Sequence, residues 1–171
     1  VTAINMHVGL DSGDILGYKY IEIEKDTVVS VLFDSLAICA SQLTIEILEK
    51  YDFLFPTKQN LSLVSYCKKI RKEDGLVTFT NALFLYNKYR AFKSWPDIFL
   101  ESGLKIKECF LNDDKSLNKC SKILLIEPTY IIVGCTVGSL KITRVQPSSK
   151  KQMNVVDYIR GKRLEIGDNF S

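Results

Sequence analysis

The chain has 171 residues, of which 46% are hydrophobic, 25% charged and 11% aromatic. This composition is typical of a globular protein and excludes a mainly disordered, collagenous or fibrous chain. The longest unbroken apolar runs, such as residues 123–126, are far shorter than the roughly 18 residues of a membrane-spanning helix, so the sequence predicts no membrane segment.

The net charge of +3 hides an asymmetry along the chain. Residues 1–60 carry four basic and nine acidic residues, a net −5, whereas residues 61–171 carry 19 basic and 11 acidic residues, a net +8. A segment this basic is a plausible footprint for RNA, because contacts to phosphates release condensed counterions. A solvated basic surface explains the same charge, so both interpretations stay open.

The first residue is Val1, with no basic leader or cleavage site after it, and we expect the chain to be cut from a longer one. Five cysteines, spaced at least 11 residues apart without a C-x-x-C pair, favour neither a disulfide framework nor a zinc site. They predict a reducing, cytoplasmic location. The single histidine, His7, completes no recognisable metal-ligand spacing or catalytic triad, so we expect no metal.

The first third of the chain follows the order strand, turn, strand, helix. Residues 2–8 and 18–24 are predicted strands, separated by a turn rich in Gly and Asp over residues 9–14. An amphipathic helix is predicted from an Asp26-Thr27 N-cap to Tyr51, because apolar residues recur every three or four positions. These positions are Leu32, Leu36, Cys39, Leu43 and Ile47. This order is that of an α/β layer, and one helix is too little for a complete α/β domain.

The rest of the chain is predicted to be a linker followed by a mainly β domain. The periodicity weakens from Asp52 to about Gly75, and a helix follows from a Thr80 cap to Phe92. Strands are predicted over residues 104–110, 122–126, 130–135 and 140–145, which suggests a small barrel or sandwich. A last helix covers residues 155–160, with Asn154 as its cap and Gly161 as its stop.

The turn over residues 9–14 is the best candidate for chemistry. A carboxylate held at a strand end between glycines can lie close to a ligand, because glycine lets backbone approach. Asp11 is that carboxylate. An Asx-turn, in which Asp11 only caps the loop, is the bland alternative and stays open on this evidence alone.

Seven blocks of sequence, taken in order, resemble the methionyl-tRNA formyltransferase family from the middle of its catalytic domain to its C-terminus. The blocks are Val1 to Leu16 with the core Gly9-Leu10-Asp11-Ser12-Gly13, Leu36-Ala37, Gln59, residues 66–75, Arg90 to Pro96, Gln146 to Met153, and Gly161 to Asp168.

The resemblance implies the tail of a Rossmann-like formyltransferase domain, then a linker, then a small OB-like β-barrel, an α/β plus β architecture. The expected limits are residues 1–52 for the catalytic part, 53–79 for the linker and 80–171 for the barrel. The family's glycine-rich opening and its N-x-H-x-S-L-L-P block do not occur in the sequence. His7 is therefore not the family's catalytic histidine. Ser12, Ser94, Asp97 and Ser149 replace the usual Thr, Pro, Gly and Gly.

The family moves the formyl group of 10-formyltetrahydrofolate to the amino group of methionine on initiator tRNA, without a metal. By resemblance, Asp11 is the catalytic aspartate, which would hold a histidine charged or relay protons. Val8, Gly9, Leu10 and Asp11 would contact the folate. The tRNA backbone would be held by a linker set, Lys68, Lys69, Arg71 and Lys72, and by a barrel set, Lys141, Arg144, Lys150, Lys151, Lys162 and Arg163.

Two other functions remain open, a related sugar-amine formyltransferase and a stand-alone RNA-binding OB-like module. The basic second half favours tRNA over a sugar, and the Asp11 loop favours an enzyme over a binding module. Because the family's oxyanion donors are missing from the sequence, we expect this chain alone to be inactive. We also expect a monomer when the protein is complete, and no membrane partner.

Overall fold

A computed structural model describes residues 1–170. The chain divides into two compact units, the first formed by residues 1–69 and the second by residues 70–171. The boundary lies inside the linker expected over residues 53–79. Residues on each side of it are tied to their own unit, since Thr57 pairs with Ile15 and Leu76 bridges to Phe99. The three-part division expected from the sequence stays a prediction.

The first unit consists of a two-stranded antiparallel sheet and one long helix. The strands are β1 (Thr2–Ile4) and β2 (Ile15–Tyr18), and the helix is α1 (Val29–Glu49). Short 3-10 turns follow at Tyr51–Phe53 and Leu61–Leu63. The prediction of a strand over 18–24 is wrong, because β2 lies upstream and ends where that segment begins. The first strand is also shorter than predicted, since the chain leaves the sheet after Ile4.

The predicted apolar stripe of α1 is its most buried face. Cys39, Leu43 and Ile47 are buried, and Leu43 and Ile47 pack over Gly17 of β2, where an added Cβ would lie 3.4 Å and 3.6 Å from their Cδ1 atoms. The predicted Asp26-Thr27 cap is wrong, because the N-cap position is Val28, which makes no side-chain cap. Packing of this apolar face against β2 thus supports the helix.

A second side of α1 carries exposed apolar side chains. These are Val31, Phe33, Ile38, Ile45 and Leu48, each more than half exposed. The helix is long and apolar enough to cross a membrane by length and composition, with a mean hydropathy of 1.6 over 18 residues. The expectation from unbroken apolar runs missed this, because isolated polar and acidic residues interrupt the helix. The core helix of a soluble α/β protein meets the same criterion, so the feature assigns no membrane role.

The second unit is a six-stranded antiparallel sheet with two helices. The elements are α2 (Ala82–Phe92), β3 (Ile98–Phe99), β4 (Lys105–Leu117), β5 (Ile123–Ile126), β6 (Ile131–Gly134), β7 (Val137–Gln146), β8 (Met153–Asn154) and α3 (Val155–Lys162). The strand order is β3-β4-β7-β6-β5, with β8 beside β7. All four predicted strands are present, β4 and β7 being longer than expected. Among the described residues the sheet is not closed, because its end strands β3 and β5 do not pair with each other. Short segments outside the strands hydrogen-bond to both, at Val77 to Phe99 and at Gly167 and Asp168 to Ile123.

The two helices of this unit begin at asparagine caps. Asn81 accepts a hydrogen bond from the Phe84 amide, so it caps α2 instead of the predicted Thr80. Asn154 caps α3 as predicted, accepting from the Val156 amide at 2.8 Å. The predicted stop at Gly161 is wrong, because α3 continues through Lys162 and the left-handed residue that ends it is Arg163 (φ 56°).

A partly buried ion cluster in the second unit links Asp97, the residue before β3, to β4. The Asp97 carboxylate accepts hydrogen bonds from Lys105 Nζ at 3.0 Å and Lys107 Nζ at 2.7 Å, and its side chain is only 11% exposed. Asp97 takes a left-handed backbone (φ 67°), which fits the glycine that the resembling family has here. The substitution therefore keeps the backbone turn and adds an ion cluster.

Candidate active-site loop and basic surface

The loop over residues 5–14, called the Asp11 loop below, joins β1 to β2. Its neck closes where the Asn5 amide donates to the Asp14 carbonyl at 2.9 Å. Gly13 lies against this neck, and an added Cβ would lie 1.8 Å from the Asn5 carbonyl oxygen. Only glycine fits such a close approach of two backbone segments. The ten residues therefore leave and rejoin the sheet as a closed excursion.

Gln59 holds the Asp11 loop from the segment that follows α1. Its Nε2 donates to the carbonyl oxygens of Asp11 at 2.8 Å and Gly13 at 2.6 Å. The paired amides and carbonyls of Ile15 and Thr57, at 2.7 Å and 2.9 Å, position this segment beside the loop. The sequence offered Gln59 only as one block of a resemblance, because a contact across 46 to 48 residues leaves no local signal.

His7 and Ser12 brace the inside of the loop. His7 Nδ1 lies 3.1 Å from Ser12 Oγ, and Ser12 Oγ donates to the Gly9 carbonyl at 3.0 Å. The Gly9 amide also points to His7 Nδ1, at 3.4 Å. His7 thus has a local supporting contact, and the expectation that it is not the catalytic histidine of the family stays a prediction.

The Asp11 side chain is exposed, and the residue has a left-handed backbone (φ 49°). Within residues 1–170 no hydrogen bond or ion pair involves its carboxylate; only its carbonyl is engaged, by Gln59. The Asx-turn alternative needs a carboxylate that accepts a bond from a nearby amide. The loop is held by other groups, and the carboxylate is left available to a partner.

Val8 and Leu10 present both backbone and side chain to solvent. Their side chains are fully or almost fully exposed, and within residues 1–170 their amides and carbonyls make no hydrogen bond. Two open clefts lie along the loop. One is lined by residues 4–7 and 12–14 with Leu16 and Tyr51, and the other by residues 4–12. Free backbone donors and acceptors beside apolar side chains suit a flat heterocycle with a hydrogen-bonding edge, such as a pterin.

The four cations of the predicted linker set lie at the boundary of the two units. Lys68, Lys69, Arg71 and Lys72 are all exposed. Lys68 and Lys69 belong to the first unit and lie in irregular backbone, whereas Arg71 and Lys72 begin the second. The Arg71 amide donates to the Asp74 carboxylate at 2.7 Å, and this bond fixes the backbone at Arg71. It uses none of the four charged side chains.

The predicted barrel set divides into three groups. Lys141 on β7 lies over the Tyr130 ring, 4.0 Å from its centroid, and Arg144 lies 4.0 Å from the Glu108 carboxylate. Lys150 and Lys162 line one common cleft, described below. The remaining two, Lys151 and Arg163, are exposed. Both Lys141 and Arg144 therefore already have partners inside the unit.

The loop before β8 keeps a tight shape despite its serine. Ser149, where the resembling family has glycine, takes a left-handed backbone (φ 60°). The Lys150 amide donates to the Pro147 carbonyl at 3.1 Å, and Gln146 Nε2 donates to the Lys150 carbonyl at 2.9 Å. The substitution therefore leaves the turn in place, at the cost of a conformation that side chains disfavour.

Buried thiols of the second unit are chemically quiet. Burial raises the pKa of Cys135 from its ordinary 9.0 to about 12, and it raises the pKa of Cys109 further still. A thiol that stays protonated is a poor nucleophile and metal ligand. All five cysteines are free, and residues 1–170 contain no cluster of three or more His, Cys, Asp or Glu side chains that could hold a metal ion.

Comparison with known proteins matches the second unit to a family. The model of the formyl transferase C-terminal domain matches residues 69–163. The methionyl-tRNA formyltransferase of Sulfurimonas denitrificans is 49% identical over 171 residues, all of this chain and 57% of the relative. That of Nitratiruptor is 47% identical over 170 residues, which is 99% of this chain and 56% of the relative. The chain thus spans little more than half the length of these relatives.

Solved structures with a similar fold include HypX and an N-formyltransferase. HypX from Aquifex aeolicus in complex with tetrahydrofolic acid superposes with a TM-score of 0.67 at 14% identity, covering 92% of this chain and 29% of that one. The N-formyltransferase of Helicobacter canadensis, in complex with folinic acid and dTDP-3-aminofucose, gives 0.65 at 17% identity, covering 83% and 54%. At these identities the likeness concerns the fold. The family model, which matches more than half of the chain, shows that this chain belongs to the formyl transferase family and includes its C-terminal domain.

Proposed function

We propose that the chain is the C-terminal part of an enzyme that transfers the formyl group of 10-formyltetrahydrofolate to the amino group of methionyl-initiator tRNA. The observation that carries the proposal is the 49% identity, over the whole chain, to a methionyl-tRNA formyltransferase. The likeness to the sugar N-formyltransferase is one of fold, so it does not favour the sugar-amine alternative. The Asp11 loop argues against a stand-alone RNA-binding module.

In this proposal Asp11 is the catalytic carboxylate. When bound, the folate would supply the formyl carbon that the amine attacks. The bond from that carbon to the folate nitrogen would break, and the proton lost by the amine would pass to that nitrogen. Gln59 fixes the loop backbone by its two hydrogen bonds, so the Asp11 carboxylate oxygens remain free to accept hydrogen bonds from a ligand. The Asp11 carboxylate then accepts a proton or holds a nearby histidine in its charged form. Val8, Gly9 and Leu10 offer the pterin the edge of the loop, where free amides and carbonyls fit a heterocycle.

The basic second half is proposed to hold the tRNA backbone. The linker set is the best placed, since its four exposed side chains lie within five residues, and the barrel set adds further cations. Phosphate contacts of this kind position RNA without reading its bases. We further propose that the second unit is an OB-like barrel, that the complete protein is a monomer without a membrane partner, and that it works in the reducing cytoplasm, which suits five free cysteines.

A chimaera tests the proposal as a whole. The chain is joined to the upstream part of the S. denitrificans relative and assayed for formylation of methionyl-initiator tRNA by 10-formyltetrahydrofolate. We expect turnover that depends on both substrates. A folded chimaera that formylates a nucleotide-linked amino sugar and leaves the tRNA untouched would replace this function by the sugar-amine alternative.

A further inference from the structure

Gly161 occupies a place where glycine has no internal reason to be. It lies in the last turn of α3 with an ordinary helical backbone, and an added Cβ would meet no atom within 4 Å. Gly138, by contrast, has a φ of 79° and only 2.4 Å between an added Cβ and the Asp113 carbonyl oxygen. Glycine weakens a helix, and neither the backbone conformation nor the packing of this unit requires it here. The reason for Gly161 is therefore sought in the solvent-exposed space beside it.

That space is part of a cleft between α3 and the loop that joins β7 to β8. The cleft has a volume of about 520 Å³. Its lining residues are Ser102, Leu104, Pro147, Ser148, Lys150, Met153, Asp157, Tyr158, Gly161 and Lys162. It thus combines apolar side chains with two ammonium groups, three hydroxyl groups and one carboxylate.

The charges around the cleft favour an anion. Lys150 and Lys162 line the cleft. In the sequence Lys151 follows Lys150, and Arg163 follows Lys162. Its single acid, Asp157, lies 3.9 Å from the Arg160 guanidinium, which offsets that negative charge. Lys150 is fixed at the backbone by the bonds to Pro147 and Gln146 described above, so its position in the loop is set before any ligand arrives.

We propose that one nucleotide of the bound RNA occupies this cleft, with its phosphate between Lys150 and Lys162 and its ribose against the α3 backbone at Gly161. The inference rests on the proposed tRNA function and adds a specific contact to it. An anionic group joined to an apolar ring system matches the lysines and the Leu104, Met153 and Tyr158 side chains. The absent Cβ at Gly161 lets the sugar approach the helix.

The test measures binding of uncharged initiator tRNA to the 171-residue chain across a salt series, together with thermal unfolding. Gly161→Ala should raise the thermal midpoint, because alanine is the better helix former and has room, yet weaken tRNA binding several-fold. Gly161→Leu should weaken it tenfold or more while leaving the salt slope unchanged, because no charge is removed. Gln152→Leu is the matched control, since this exposed side chain lies in the same loop outside the cleft, and it should bind like the parent chain.

Three results separate the possible failures. If the parent chain binds tRNA and Gly161→Leu binds equally well, the cleft is not in the interface and this inference is overturned while the proposed function stands. If Gly161→Ala lowers the thermal midpoint, glycine is needed by the fold and the inference is likewise overturned. If the parent chain does not bind tRNA at all, the RNA part of the proposed function fails and the cleft proposal falls with it.

Discussion

The two units of the chain differ in how much of their apolar surface they bury. In the second unit Phe79, Ile98 and Ile106 are each 1% exposed and belong to one continuous core. Among the described residues of the first unit, only Cys39, Leu43 and Ile47 bury an apolar side chain. Burial of apolar surface is the main favourable term in folding. The second unit therefore buries enough apolar surface to fold by itself, whereas the first unit buries little.

This difference shows how the two candidate sites are supported. The Asp11 loop belongs to the sparsely packed unit and depends on specific hydrogen bonds, those of Gln59 above all. The barrel set lies on the well-packed unit, where strands and caps position the cations. We therefore expect catalysis to be sensitive to what completes the first unit, and RNA binding to be largely independent of it.

The largest expected effect is on turnover. The 171-residue chain alone should formylate methionyl-tRNA at no more than the background rate, because the sequence lacks the block that supplies the family's oxyanion donors. The assay uses charged initiator tRNA and 10-formyltetrahydrofolate, with a full-length relative as the positive control. A rate near that of the relative would mean that the catalytic groups lie in this chain and that His7 has been misjudged.

Core truncations sharpen the comparison of the units. Phe79→Ala should cost about 3–5 kcal/mol of unfolding free energy, because it leaves a closed cavity. Leu43→Ala should cost about 2 kcal/mol or less, because the surroundings of α1 are half open and water fills the gap. Urea unfolding followed by circular dichroism gives both values. Equal losses would show that the first unit is packed as tightly as the second.

The loss of stability at alkaline pH should depend on the buried thiol of Cys135 in the second unit. The raised pKa of Cys135 means that the folded state keeps a proton that the unfolded chain releases above pH 9. Its contribution to stability is complete below pH 9 and is lost as the pH rises from 9 towards 12, at about 1.4 kcal/mol per pH unit. Cys135→Ala should flatten this dependence, whereas Cys67→Ala, at an exposed thiol, should not. Identical pH profiles for the two variants would contradict the assignment.

The smallest effect concerns the linker set. Replacing Lys68, Lys69, Arg71 and Lys72 by Ala should weaken tRNA binding about equally for all tRNAs and reduce the log-log salt slope by up to about 3.6, at roughly 0.7–0.9 per phosphate contact. Replacing four other exposed lysines, Lys25, Lys50, Lys58 and Lys115, removes the same charge elsewhere. If both quadruple variants behave alike, only overall charge matters and the linker set is solvated surface.

Local patterns predicted the second unit better than the first. Short apolar runs between turn residues predict the strands β4 to β7. The position of Asn154 just before an apolar helical segment predicts that it is the N-cap of α3. In the first unit the alternation over 18–24 suggested a strand, yet pairing with β1 selects Ile15–Tyr18, because the closed neck at Asn5 and Asp14 sets the register. Local alternation cannot show where a distant partner ends.

Contacts between distant residues explain what the sequence could not give at the sites. It indicated Asp11 but not that Gln59 holds its backbone, and it took Gly161 for a helix stop although the chain ends α3 at Arg163. It noted Asp97 only as a departure from the family, whereas the structure surrounds it with Lys105 and Lys107. Each depends on where another part of the chain lies in space.

The role of the Asp11 carboxylate is tested most directly in the chimaera with the upstream part of the S. denitrificans relative. Asp11→Asn should remove most formylation activity without changing the thermal midpoint, because the amide is nearly isosteric and the carboxylate makes no contact within residues 1–170 that stability depends on. Asp114→Asn, an exposed aspartate of the second unit, should change neither rate nor stability. If Asp11→Asn keeps the parent rate, the residue only shapes the turn, and the proposed catalytic role of the loop is wrong.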